Sequence, residues 1–153
     1  RFPMDVKKVA IVNLVDRIWK TLEPVAVEKQ LRVNRAVPES AAAETDEVIL
    51  TLALRNILEN ALVHSDPRGT VDIRITSNGG RTVVSVLNSG SRVAAEAVEH
   101  LTDRFTRADA ARTEAGTHSG LGLAIVKRAA DELGATLNLT STAAGEFSAT
   151  LSL

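Results

Sequence analysis

The sequence predicts an α+β fold, a two-layer sandwich with helices on one face of a mixed, mainly antiparallel sheet. Three observations predict it. Long stretches of helical periodicity alternate with short alternating strands, two pairs of strands are joined by tight turns, and a further helix stands between those pairs. At 153 residues and 44% hydrophobic, the chain makes one domain able to bury roughly two thirds of its unfolded surface.

Residues 9–29 read as the first helix, with Ile11, Leu14, Val15, Ile18, Trp19 and Leu22 on one broad face. Residues 31–37 alternate as a short strand before Pro38. Residues 46–63 carry the strongest helical pattern: Asp46 suits an N-cap, and Ile49, Leu52, Ala53, Ile57, Leu58 and Ala61 recur at helical spacing. The run Ser65-Asp66-Pro67-Arg68-Gly69 ends it. Residues 71–76 and 81–87 alternate around Asn78-Gly79-Gly80, a hairpin signal. Residues 88–119 are polar and alanine-rich, too long for an ordinary connection. A helix from about residue 120 to 133 follows, closed by Gly134, and residues 136–140 and 147–153 form a last hairpin.

Composition narrows the chemistry. There is no cysteine, so zinc or iron–sulfur sites built on thiolates are excluded. A net charge of −1 gives no reason to expect a nucleic-acid partner. No apolar run approaches the roughly 20 residues that cross a bilayer, and no signal peptide opens the chain. The chain starts at Arg1 without methionine, as a piece of a longer protein would.

Four stretches carry candidate chemistry. In LRNILENALVHS, Asn56 and Asn60 stand four apart on one helical stripe, and His64 continues it. The two amides either cap neighbouring backbone groups or share a polar partner; neutral oxygens of this kind suit Mg²⁺ held mainly by a ligand's phosphates. In VSVLNSGSRV a strand runs into Asn88, and Gly90 permits a sharp turn. Asn88 either ends the strand or meets a base edge. In RFTRADAAR three arginines surround Phe105, as a solvated basic loop or an anion clamp. In HSGLGLAIV, Gly120 and Gly122 fall where a helix begins, and unpaired N–H groups there favour an anion. The run is no dinucleotide fingerprint, because Ile125 stands where the third glycine belongs, and no Gly-Lys-Ser/Thr phosphate loop is present.

In order and spacing the four together resemble the ATP-binding domain of sensor histidine kinases, within the gyrase, heat-shock ATPase, histidine kinase and MutL group. Asn56 to Asn60 resembles its N box, Asn88-Ser89-Gly90 its first glycine box, Phe105-Thr106-Arg107 its F box, and Gly120-Leu121-Gly122-Leu123 its second glycine box. Gly145-Glu146-Phe147 is similar to the last glycine motif. The resemblance covers nearly all of residues 1–153. It implies a Bergerat-type fold with an ATP lid over about residues 94–119, and ATP and Mg²⁺ as cofactors.

By that resemblance Asn60 coordinates Mg²⁺ through the ATP phosphates and Asn56 supports it. Asn88 faces the adenine amino group, and Gly90 gives the loop its turn. Gly120 and Gly122 lie against the phosphates, while Leu121 and Leu123 anchor the lid. Arg107, beside Phe105, steadies the γ-phosphate or the docked acceptor domain, and His64 stands where many members place an aromatic. Departures occur as well. The first glycine box begins with Asn88 instead of Asp, which implies binding weaker by about 1 kcal/mol, a factor of about 5–10. Arg92 replaces the second glycine of that box, and Val63 stands where a Lys or Arg is frequent.

The hydrolytic relatives place a glutamate general base four residues before the metal asparagine, where this sequence has Asn56. An amide takes no proton at neutral pH, and Glu59 lies about 100° off that face. The expected activity is therefore phosphotransfer from Asn56, Asn60 and Arg107 as the catalytic set. The acceptor would be a histidine on a separate dimerisation domain, since none of the three histidines here resembles an acceptor motif. The implied parent is a membrane-bound homodimeric sensor working with a response regulator, and this piece is its soluble, cytoplasmic part. A nucleotide-binding module without transfer, or an ATP-hydrolysing clamp domain of the same fold, are the alternatives.

Overall fold

The computed structural model describes residues 3–78, 80–90, 98, 100–102 and 121–153. In chain order these form β1 (Val6–Ala10), α1 (Ile11–Glu28), β2 (Arg32–Ala36), β3 (Ala42–Asp46), α2 (Glu47–His64), β4 (Thr70–Asn78), β5 (Arg81–Ser89), α3 (Leu121–Leu133), β6 (Thr136–Ser141) and β7 (Glu146–Ser152). Five strands make one sheet in the order β2-β4-β5-β7-β6. Only β2 and β4 are parallel, and the other three pairings are antiparallel. Parallel neighbours need a crossover, and α2 lies in the connection between them. The two-layer sandwich is as expected, with the helices on one face of a mixed, mainly antiparallel sheet.

Alternation decides which face is covered. Val71, Ile73 and Ile75 of β4, Val84 and Val86 of β5, and Ala149 and Leu151 of β7 point inward and are buried. The helices bring Ile11, Leu14, Val15 and Ile18 from α1, Leu50, Leu54, Ile57, Leu58 and Leu62 from α2, and Leu123 and Val126 from α3. The inward column of β5 is polar at both ends: Thr82, Val84, Val86 and Asn88 are all buried. Thr82 Oγ1 donates to Ala42 O at 2.9 Å.

The sequence reading differs at the N-terminal end. Residues 9 and 10 belong to β1, and α1 starts at Ile11. β1 and β3 pair antiparallel as a separate two-stranded sheet, from Val6 opposite Asp46 to Ala10 opposite Ala42. Neither strand was expected. Four of the five β1 residues are exposed, so no buried alternation marks it, and the apolar Val9 merges with the helical pattern that follows.

Helix ends follow local chemistry. Asp46 caps α2, its Oδ1 accepting from Val48 N at 3.0 Å and Ile49 N at 3.1 Å. Gly134 ends α3 at φ +69°, with Ala135 N donating to Ala130 O and Gly134 N to Asp131 O, the double closure of a Schellman motif. α1 ends the same way on a non-glycine: Gln30 has φ +56°, Leu31 N donates to Ala26 O and Gln30 N to Val27 O.

Asp46 Oδ2 also accepts from Asp5 N at 2.9 Å. That N–H first, then that of Ile49, holds the carboxyl below its ordinary value of 3.8. A depressed carboxylate contributes stability that is fully present above the unfolded value and is lost as pH falls through the folded one. Melting curves between pH 7 and pH 2 should therefore show wild type losing its margin over Asp46→Asn as pH drops below about 4. A margin independent of pH would contradict this assignment.

Candidate nucleotide site

α2 buries Leu50, Ala53, Leu54, Ile57, Leu58, Ala61 and Leu62. So wide a buried face fixes its rotation, and positions 48, 52, 56, 60 and 64 run up the remaining edge at four-residue spacing. The stripe changes character along its length. Val48 and Leu52 are exposed at 78% and 47%, Asn56 and Asn60 are half-buried, and His64 is exposed at the last helical position.

Asn56 Nδ2 donates to Leu52 O at 2.8 Å, one turn back. The amide therefore caps a neighbouring backbone group, one of its two readings from sequence. Its oxygen faces α3, where a Cβ added to Gly122 would lie 3.3 Å from Asn56 Oδ1. A larger residue at 122 would crowd that oxygen. Among the described residues no hydrogen bond engages the Asn60 amide. Leu123 is buried in the core, 6% exposed. Leu121 opens α3, its side chain outside the described residues. Gly120, Phe105 and Arg107, with nearly all of the expected lid, also lie outside them.

Asn88 is 1% exposed, at the site end of the inward column of β5. Its Nδ2 donates to Ser89 O at 2.9 Å. A carbonyl only accepts, so this bond fixes the amide orientation and leaves Oδ1 as the acceptor presented elsewhere. An amide at this position offers an acceptor without charge.

The turn after α2 packs tightly under this strand end. Gly69 N donates to Asp66 O at 2.9 Å, and Ser89 Oγ accepts from Thr70 N at 2.9 Å. Gly90 has φ +85°, and a Cβ there would meet Asp66 N at 2.6 Å and Asp66 Cγ at 2.9 Å. Sequence reasoning missed Lys29 altogether. Its Nζ donates to Leu62 O at 2.7 Å, Val63 O at 3.0 Å and Ser65 O at 2.5 Å. Burial pushes the lysine below its ordinary pKa, and the Asp66 carboxylate partly offsets this. No local pattern marks it, since its partners lie 33 to 36 residues away.

A separate cavity of about 880 Å³ lies between the first half of α2 and α3. Its walls include Val48, Ile49, Leu52, Ala124, Ile125 and Arg128, but none of Asn56, Asn60 or Asn88. The amide edge, by contrast, has the neutral oxygens and close glycine backbone suited to a phosphate-bound cation.

A two-layer sandwich with an amide-bearing helix edge against a glycine at the start of the next helix suits a phosphate-bearing ligand, as an ATPase-type domain requires. The chain belongs to the family described as "Histidine kinase-, DNA gyrase B-, and HSP90-like ATPase", whose profile matches residues 45–153. Among its relatives, the "Sensor-like histidine kinase SenX3" of Mycolicibacterium smegmatis is 31% identical over 138 residues, covering 90% of this chain and 36% of that protein. The "Sensor histidine kinase CusS" of Escherichia coli K12 is 33% identical over 138 residues, covering 88% and 28%. The chain thus spans about a third of the length of these relatives. The nucleotide-free catalytic domain of histidine kinase ThkA shares the fold, with TM-score 0.82 at 20% identity over 98% of this chain and 97% of that one. The chain is the ATPase-type domain that sensor histidine kinases carry.

Gly90→Ala combines a left-handed backbone with overlap at Asp66 and should cost about 2–4 kcal/mol. Gly80→Ala shares the positive φ, at +80°, but has nothing within 4 Å of its Cβ; it should cost about 1–2 kcal/mol. Urea unfolding of both variants separates the two contributions, and equal losses would contradict the close packing at Asp66.

Proposed function

We propose that the chain binds Mg²⁺-ATP along the edge of α2 that carries Asn56 and Asn60. It donates the γ-phosphate to a histidine on a separate dimerisation domain of a two-component sensor kinase. The observation that carries this reading is the Asn56 oxygen set against Gly122, with the Asn60 amide, one turn further along α2, making no hydrogen bond among the described residues. The donor set fits such a ligand: among the described residues no group of three His, Asp or Glu side chains could hold a metal ion alone. The ion would be held chiefly by phosphate oxygens, with the Asn60 amide oxygen as a protein ligand.

Mg²⁺, when bound with the nucleotide, neutralises charge that develops on the phosphates. Asn60 orients that complex from α2, and the N–H groups at the start of α3 face the anion. Gly122 leaves room for close approach. Asn88 supplies an acceptor of the polarity an exocyclic amino group requires. We assign Gly120, Leu121, Phe105 and Arg107 to the same site by the motif order alone, with His64 at its margin. In the transfer, the bond from the terminal phosphorus to its bridging oxygen breaks as a bond to the acceptor imidazole nitrogen forms, and ADP leaves.

Transfer is favoured over hydrolysis by position 56. The amide there cannot act as a base, and its nitrogen is already committed to Leu52 O. The acceptor domain, the response regulator and a membrane-bound, homodimeric parent belong to this proposal. Among the described residues no helix is long and apolar enough to cross a membrane.

Calorimetric titration should show Mg²⁺-dependent ATP binding to wild type and its loss in Asn60→Ala; unchanged affinity in that variant would overturn the metal role. ATP hydrolysis by wild type should be slow, and Asn56→Glu should raise it about tenfold or more by restoring a general base. Rapid wild-type turnover, unchanged in the variant, would favour the ATP-hydrolysing clamp.

A further inference from the structure

Asn60 lies on α2 and Asn88 on β5, so a ligand that uses both depends on how those two elements are held together. One lysine, at the end of α1, holds the turn that lies between them. The backbone of Lys29 is set by the closure of α1, in which Leu31 N donates to Ala26 O and Gln30 N to Val27 O. From there its ammonium, which has three protons, places one on each of Leu62 O, Val63 O and Ser65 O. The first two belong to the last turn of α2, whose carbonyls have no intrahelical partner. A positive charge at that end also opposes the helix dipole.

Lys29 holds the far side of the turn as well: its carbonyl accepts from Arg68 N at 2.8 Å. Arg32 N, three residues on, donates to Gly69 O at 2.9 Å. The turn is thereby clamped from 65 to 69. Its upper surface is the floor of the β5 end, because Asp66 fills the space where a Gly90 Cβ would lie and Ser89 Oγ fills that of Gly69, at 2.4 Å. A displacement of the last turn of α2 would be passed through Asp66 to Gly90 and Ser89.

We propose that Lys29 is a positioning residue that sets the spacing between the Asn60 edge of α2 and the Asn88-Ser89-Gly90 strand end. Its role in nucleotide binding rests on the function proposed above. Site groups must be held to about 0.5 Å for productive geometry, and the lysine acts without touching the ligand. A guanidinium spreads its donors in a planar fork and cannot gather three carbonyls around one nitrogen.

The test uses Lys29→Met and Lys29→Arg. Mg²⁺-ATP titration is combined with native-state hydrogen exchange. Lys29→Met should bind at least tenfold more weakly, with Lys29→Arg in between. In the exchange experiment Lys29→Met should lose protection jointly at residues 60–66 and at 89–90, while the β6–β7 amides keep theirs. A helix cap acting locally would lower protection at residues 60–65 alone, and that pattern would overturn the proposal. So would a folded Lys29→Met with wild-type affinity; where that variant fails to fold, wild-type affinity and exchange in Lys29→Arg would do the same. A wild-type chain that binds no Mg²⁺-ATP overturns the function reading instead, and the exchange pattern still decides the mechanical coupling.

Discussion

The burial of α2 is the constraint on which the rest of the structure depends. Five large side chains, Leu50, Leu54, Ile57, Leu58 and Leu62, are each at most 2% exposed. Together they contribute on the order of 10 kcal/mol of apolar transfer before conformational entropy is set against it. That burial fixes the rotation of the helix. The edge left over therefore has a fixed direction, and Asn56 and Asn60 are on it. An asparagine pair on the buried face of the helix would lack partners, at a cost of about 1–3 kcal/mol for each unsatisfied group.

Much of this was legible in the sequence, because it is written locally. The periodicity of α2, its Asp46 cap, the β4–β5 and β6–β7 hairpins and the Gly134 closure each depend on residues a few positions apart. β1 and β3 were illegible for the opposite reason. They are five-residue strands stabilised by each other, about 36 residues apart in the chain, and β1 carries no buried alternation. Lys29 was missed on the same grounds. It reads as one more charged residue at a helix end, and nothing nearby says that its ammonium reaches carbonyls of another helix. Of the candidate site, Asn56, Asn60, Asn88, Gly90 and Gly122 can be followed into the fold, whereas Phe105, Arg107 and Gly120 lie outside the described residues.

The stripe on α2 joins two kinds of surface. Its amide half meets Gly122, and its apolar half, Val48 and Leu52, borders a cavity of about 880 Å³ shared with α3. The cavity walls offer a phosphate little beyond the side chains of Lys127 and Arg128. The amide edge has the better chemistry: a carboxamide with no hydrogen bond among the described residues, glycine backbone at a helix start, and a buried acceptor whose orientation is pinned by Ser89 O. At position 56 an amide and a carboxylate of nearly equal size would differ in whether they can take a proton, and the proposed preference for transfer over hydrolysis rests on that difference.

In the proposed function, nucleotide meets this chain at the amide edge of α2 and the end of β5. Backbone amide chemical shifts recorded during titration with Mg²⁺-ATP test it most directly. The largest changes should fall at Asn56, Asn60, Asn88, Gly90 and Gly122, with Val48, Leu52 and Ile125 little affected. Changes confined to Val48, Leu52, Ile125 and Arg128 would place the ligand in the apolar cavity and contradict it.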